Sequence, residues 1–477
     1  MYLQLCSRES GPSVLKGAVR IASVCAMLLL VPGSLMFAQL PGDPKSNSAV
    51  CVGPGDKWAP AIAPDRMGGA VVAWQDDRNG NYDIFAQKVD MLGKIQWTAE
   101  GVAVCPDTKR QGFPKLVEDG TGGAIVTWCD DRSGNCDVFA QRVDANGAVA
   151  WSSGGVPVSK VSGGRTAPAI VGDGMGGAII AWHEKRTGSY DIYVQRIDAS
   201  GKMKWGSGGL GVCTMTADQL YPVLSGDGAG GAIIAWDDNR NGSHDVYAQR
   251  VSSSGGVEWT PNGVAVCTAA GNQQNPAIIP NGSGGAIVVW QDQRSGTFDI
   301  YSQMLSESGE PMWGADGIPL CQAKGDQSSP ALTSDGKGGA IVVWCDKRGS
   351  DYDIYSQRVN ASGKTQWGPD GVLVCSEGGD QMLPALVSDG FGGAIMVWHD
   401  NRDSSYDIYA ERLDAAGAPQ WQKNGVAICT AQGDQSCPTI AADGTGGAII
   451  TWSDPRNNRG DVFVQRVDGR GVFSSVK

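Results

Sequence analysis

Histidine is scarce: His183, His244 and His399 are the only three in 477 residues. No Ser–His–Asp order, zinc-ligand spacing or phosphate-binding glycine loop can be assembled around so few imidazoles, so triad hydrolysis, zinc chemistry and nucleotide binding find no support. No segment keeps the 3.6-residue period of an amphipathic helix, which excludes bundles and helical solenoids. Long apolar runs are also lacking, with one exception. Ile21 to Phe37 is a 17-residue run broken by Pro32, preceded by Arg8, Lys16 and Arg20 and followed by Ala38. It reads as the core of a signal peptide over residues 1–38, with an uncleaved anchor as the alternative. A secreted, extracellular or periplasmic protein is therefore expected, with no membrane span in the mature chain. Basic residues are in deficit, 38 against 50 acidic, for a net charge of −12 that becomes −14 once Arg8, Lys16, Arg20 and Glu9 are removed. An acidic surface repels phosphate backbones, so nucleic acid is not an expected partner.

Glycine, by contrast, is abundant at 69 residues and follows no collagen period, which implies many tight turns between short strands. The turns recur regularly. Trp74, Trp128, Trp182, Trp236, Trp290, Trp344, Trp398 and Trp452 are each 54 residues apart. The unit reads P-x-[ILV], then D-G-x-G-G-A-[IV]-[IV]-x-W-x-[DE]-x-R, then D-[IV]-[FY]-x-[QE], a glycine turn, a second Trp and G-[VIL]-x-[VIL]-C. Four β-rich runs in a unit of this size specify an all-β, eight-bladed β-propeller of four-stranded repeats over residues 46–477, after a short linker at 39–45. The last unit stops before its fourth run, and Ala49-Val50-Cys51 supplies that run at the N-terminus. The ring is thus expected to close by the N-terminal strand completing the last blade, leaving no open edge.

Residues repeated in all eight units are most simply structural. The first Trp is expected to pack between blades, a sugar platform being the alternative; the second Trp (Trp97 and its six equivalents) is expected to dock on the next blade. Arg78 lies between Asp76 and Asp83, and Arg294 between Asp292 and Asp299. Each guanidinium is expected to bridge its two carboxylates and lock a hairpin. A calcium loop is the competing reading, disfavoured by the central positive charge. Cys51, Cys105, Cys213, Cys267, Cys321, Cys375 and Cys429 recur at one outer-strand position, with Ser159 as the eighth. They are expected to be buried and unbridged, whereas Cys129 and Cys136 flank one hairpin closely enough for a local disulfide.

Two motifs carry resemblances. Asp76 to Phe85, D-x-R-x-G-x-x-D-[IV]-[FY], resembles the repeats of bacterial secreted TolB-like propellers. Asp144 to Trp151, D-A-x-G-x-x-x-W, is similar to the tryptophan-docking motif of eight-bladed quinoprotein-like propellers, with one residue fewer in the turn. Both imply architecture; that broad group includes scaffolds and quinone-dependent dehydrogenases.

One position varies where its neighbours repeat. The residue after each first Trp is Gln75, Cys129, His183, Asp237, Gln291, Cys345, His399 and Ser453. It reads as a polar, ligand-binding ring near one mouth, or as the trace of a four-blade duplication or a coincidence. A Cys/His metal site is a weaker alternative, since opposite walls of a wide ring cannot share one ion. No cofactor or metal is expected. The leading reading is a monomeric, non-enzymatic binding scaffold for a protein or polysaccharide of the envelope or exterior. Its contact face would carry the loop after each Trp strand and the loop before each P-x-[ILV] strand. The alternative is a propeller enzyme, quinone-dependent or carbohydrate-active, although the adjacent Cys pair expected over a quinone is lacking.

Overall fold

The computed structural model describes residues 43–159, 168–186 and 188–473, so the signal-peptide reading of residues 1–38 and most of the linker fall outside the described residues. The 32 described strands, β1–β32 in chain order, form eight antiparallel four-stranded sheets, and there is no helix among the described residues. In the first blade β2 (Lys57–Pro64), β3 (Ala70–Asp76), β4 (Asp83–Val89) and β5 (Val102–Cys105) run in that order from the axis outward. The first strands of successive blades lie side by side, and that of the last blade, β30 (Ser436–Ala442), returns to β2. The protein is an eight-bladed β-propeller. Its last sheet takes the order β1-β32-β31-β30, with β1 (Ser48–Cys51) paired to β32 (Asp461–Val467) as its outer strand.

Every residue of β3 is buried because both faces of each sheet meet a neighbouring sheet. Small and large residues alternate to suit this. Val71, Ala73 and Ala86 of the first blade receive Trp128 and Phe139 of the second, while Trp74 faces Ile449 and Val462 of the eighth. All eight first tryptophans are fully buried. Removing one indole from such a joint is worth about 3–5 kcal/mol. The chain makes room for it at Gly101 (φ 77°), where an added Cβ would stand 2.6 Å from Trp74 Cη2. The second tryptophan crosses to the next blade, Trp97 Nε1 donating to the Ala145 carbonyl at 3.1 Å. Its ring covers Gly147, where any Cβ would collide with it.

The arginine network differs from the expected hairpin bridge. Arg78 donates to Asp76 Oδ1 from N (3.0 Å) and Nε (2.9 Å), and Nη2 reaches Asp76 Oδ2 at 2.5 Å. It does not reach Asp83, whose carboxylate accepts from Asn79 and Asn81 at 2.8 and 3.0 Å. Arg294 likewise holds Asp292, whereas Asp299 accepts from Ser295 Oγ at 2.8 Å. Asp292 and Asp299 do face each other in register, but the guanidinium folds over Tyr301, 3.9 Å from the ring centroid, and points toward the preceding blade. There Nη2 meets Cys267 Sγ on that blade's outer strand at 2.9 Å. The arginine therefore ties one blade to the next instead of locking its own turn.

Cys51, Cys105, Cys213, Cys267, Cys321, Cys375 and Cys429 are buried and unbridged. Burial pushes the Cys105 thiol up to about 12, which makes it a poor nucleophile. In the third blade the pairing changes at both ends: Ser159 replaces the thiol, Glu184 replaces the aspartate, and Ser159 Oγ donates to Glu184 Oε2 at 2.8 Å. Cys129 and Cys136 are joined in a disulfide across the base of their hairpin.

The joint between the eighth and first blades is built differently at the hairpin face, where the position of Gln111, Gln219, Gln273, Gln327, Gln381 and Gln435 is taken by a lysine. Lys57 fills it. Its fully buried ammonium donates to the carbonyls of Gly53, Pro54 and Gly55 at 3.0, 3.1 and 2.8 Å and lies 3.3 Å from Asp461 Oδ1.

Arg294→Ala should lower stability by roughly 1–3 kcal/mol, because it removes charge-assisted bonds and a cation–π contact at a joint. Asp299→Asn should cost clearly less, in chemical denaturation of both variants side by side. Deleting residues 46–55 removes β1 and should depress the melting temperature of the whole ring and promote association through the exposed edge of β32. A deletion variant that melts like the intact chain and stays monomeric on light scattering would refute closure by β1.

Candidate functional site

The eight joints open on two faces. On one, the D-G-x-G-G turns and the tryptophan-docking turns meet. On the other lie the β3–β4 hairpins and the loops leading into each inner strand, and there the repeat is least regular. Among the described residues, seven inner strands carry a bulge beside this face, one or two residues after their start. Ala59, Phe113, Tyr221, Asn275, Ser329, Leu383 and Cys437 all have φ between 51° and 56°, and the register shifts around each of them. A left-handed residue turns its N–H out of the ladder, so that donor needs a partner elsewhere.

The variable ring supplies the partner from the preceding blade. Phe113 N donates to Gln75 Oε1 at 3.2 Å, Tyr221 N to His183 Nδ1 at 3.4 Å, and Ser329 N to Gln291 Oε1 at 3.3 Å. Asp237 and Cys345 accept in the same way from Asn275 and Leu383. At these five joints Gln, His, Asp and Cys share the capacity to accept one hydrogen bond, whereas the side-chain polar atoms of His399 and Ser453 are buried with no hydrogen-bond partner among the described residues. All eight ring residues are at most 7% exposed, so the structure places them behind the surface and not on it. Nor does it gather Cys129, His183, Cys345 and His399 around one point, because each belongs to a different joint. The described metal-capable group is Cys129, Asp131 and Cys136, with ligand atoms within 4.8 Å, and its two sulfurs are already joined to each other.

In front of the ring stands a set of residues that the repeat pattern alone did not single out. Immediately before the invariant Asp83 position come Tyr82, Cys136, Tyr190, His244, Phe298, Tyr352, Tyr406 and Gly460. The backbone N–H of this residue is capped by a carboxylate of the next blade's incoming loop. Tyr190 donates to Asp218, Phe298 to Asp326, Tyr352 to Asp380 and Tyr406 to Asp434, at 2.9–3.1 Å. These caps hold the aromatic rings at the rim of the channel mouth. Tyr190 and Tyr221 meet the His183 ring edge-on at 5.3 and 5.6 Å. At the joint of the first two blades Arg110 takes the place of the capping acid and stands 5.9 and 6.0 Å from the Tyr82 and Phe113 rings. Trp58, Tyr82, Phe113, Tyr190, Phe298, Tyr352 and Tyr406 are half-buried, and Tyr221 is 48% exposed. The sequence signal for this set was its variation beside an invariant neighbour.

The comparisons with known proteins concern the fold alone. No protein-family model and no curated protein matches the chain. A protein of unknown function from Dyadobacter fermentans is similar in structure at 10% identity, covering 90% of this chain and 99% of that one, with a TM-score of 0.43. A putative TolB from Agrobacterium tumefaciens is 15% identical over 67% of this chain and 93% of its own, at a TM-score of 0.33. An alpha-L-arabinanase from Penicillium chrysogenum, complexed with arabinobiose, is 13% identical over 64% and 93%, at 0.37.

Two buried ring residues set opposite pH dependences. Burial raises the Asp237 carboxyl well above its ordinary range, with one N–H, that of Asn275, to oppose it. Burial pushes His399 down to about 4, against the pull of Asp400, Asp434 and Asp380. The folded protein therefore holds a proton on Asp237 more tightly than the unfolded chain does, and stability falls as pH rises above 3.8. His399 acts the other way: the unfolded chain takes the proton first, so stability is lost as pH falls from 6.5 through about 4. Asp237→Asn should thus raise the melting temperature at pH 8, with the gain shrinking toward pH 4. A shift of equal size at every pH would mean that the carboxyl is ionised in the folded state.

Proposed function

We propose that this chain is a non-catalytic binding scaffold acting outside the cytoplasm, with a polysaccharide as its ligand on the hairpin face. The observation that supports this reading is the ring of half-exposed aromatic side chains around one channel mouth. Sugar rings present C–H faces that stack on such side chains, and the surrounding Asn81, Gln274, Asn275 and Gln293 offer hydrogen bonds to hydroxyl groups. Ligand contact falls to these residues; behind them Gln75, His183, Asp237, Gln291 and Cys345 accept the N–H of the facing bulge, and Cys129, His399 and Ser453 are buried at the same level. The recurring acids already have structural partners: Asp119, for example, accepts from Thr121 N, Gly123 N and Arg142 Nε at 2.8–2.9 Å. The Cys129–Cys136 disulfide suits an oxidising compartment, in line with the signal-peptide reading.

Retention on immobilised polysaccharides tests the proposal. Tyr221→Ala should weaken binding about three- to tenfold, the worth of one stacked ring, with a small fall in melting temperature because about half of the residue is exposed. Undiminished retention in a Tyr221→Ala/Trp58→Ala double variant would remove the aromatic mouth as the binding face. Shortened saccharide products in the eluate would move the protein to the carbohydrate-active class.

A further inference from the structure

The face that carries the D-G-x-G-G turns breaks the repeat at one of them. The second residue of the turn is glycine in seven blades, from Gly120 (φ 78°) to Gly444 (φ 74°), and in the first blade it is Arg66, held in the same left-handed region at φ 62°. A side chain is disfavoured at such a φ, so the arginine is strained where glycine is not. Its guanidinium donates from Nε and Nη2 to the carboxylate of Glu118, at a position that carries no charge in any other blade. The Arg66 side chain is 66% exposed, and an ion pair so open to water and salt contributes too little to offset a strained backbone. The fold requires neither charge.

Both residues line a cavity of about 730 Å³ beyond the ends of β2, β6 (Gln111–Glu118) and β10 (Ala169–Gly172). Its size is that of a small-molecule site, and Ile62, Leu116, Val117, Val171 and Met175 give it apolar walls. The other charged residue of the lining, Asp119, is already satisfied, accepting from Thr121 N, Gly123 N and Arg142 Nε at 2.8–2.9 Å. One cation and one anion therefore remain beside apolar walls, and Arg66 Nη1 bonds to nothing among the described residues. A ligand that matches this set carries both charges and an apolar body. Because guanidinium and carboxylate touch each other, the ligand's two charges must also be close together, as they are on the single α-carbon of an amino acid and are not at the two termini of a peptide. We infer that this cavity binds an apolar α-amino acid, with Arg66 on its carboxylate, Glu118 on its ammonium and its side chain against Leu116, Val171 and Met175. The site is independent of the aromatic mouth and lies toward the other end of the channel.

Calorimetric titration of the full chain with L-leucine, 4-methylpentanoate and 3-methylbutylamine tests the inference, since the last two keep the apolar body and one charge each. Leucine should bind about tenfold or more tightly than either, the worth of a hydrogen bond to a charged group. Arg66→Gly should abolish the advantage over the amine while melting close to the wild-type temperature, because it restores the residue that seven blades use at this φ. Glu118→Gln should abolish the advantage over the carboxylate. Tyr221→Ala should leave both intact, which separates this site from the polysaccharide face. Leucine binding no tighter than that of the two single-charge analogues, or undiminished in Arg66→Gly, would overturn the assignment.

Discussion

The ring depends on one contact made eight times: an indole buried between two sheets, with its N–H anchored on an acid two residues later. Trp74 Nε1 donates to Asp76 Oδ2 at 3.0 Å, and the same carboxylate holds Arg78. The arginine lies over Phe85, and Phe85 lies against Trp74 with centroids 6.3 Å apart. Indole, ring and guanidinium thus form one layered unit whose outer end touches the cysteine of the preceding blade, Arg78 Nη2 to Cys51 Sγ at 3.0 Å. A buried acid that holds both an indole and an arginine leaves neither partner free to move alone. The Trp and the Arg are the same in all eight units, and the acid changes in one, with a compensating change opposite it. The third blade illustrates this: the longer Glu184 is accommodated by the smaller Ser159 opposite it.

The period of 54 residues, the four strands per unit and the displaced N-terminal strand could all be read from the chain, because each follows from a pattern repeated eight times. The burial of Trp74 and the docking of Trp97 on the next blade were legible for the same reason. The target of the arginine was not. Asp76 and Asp83 are both near Arg78 in sequence, and spacing cannot tell which carboxylate a flexible side chain takes. The competing donors decide the outcome, since Asn79 and Asn81 already occupy Asp83. The role of the residue after each Trp was likewise hidden. Its partner is a backbone N–H 38 residues away on another blade, exposed by a left-handed bulge that no side-chain pattern announces.

Symmetry also explains where individual character can arise. A repeat that closes into a ring must keep its joints alike, so variation is tolerated where a position has a chemical requirement but no shape requirement. The residue behind each bulge, an acceptor at five joints, is such a position, and the residue in front of each invariant Asp is another. Their joint variation gives every joint its own pair at the hairpin face: His183 with Tyr190, Asp237 with His244, Cys345 with Tyr352. The frame below them stays constant, with the acidic caps at Asp218, Asp326, Asp380 and Asp434 fixing the rim backbone. A rigid ring with an adjustable rim is a physical basis for recognition without a change of fold.

Charge inside the ring follows a stricter rule. Where the inner strands carry a cation at the closing joint, the fold supplies carbonyls and an acid around it, as Lys57 shows with Gly53, Pro54, Gly55 and Asp461. Where they carry an acid, an arginine answers it, as Arg66 does for Glu118. Lys115 departs from this rule in a position that alanine, valine or threonine fills in the other blades, so its charge is not needed for packing.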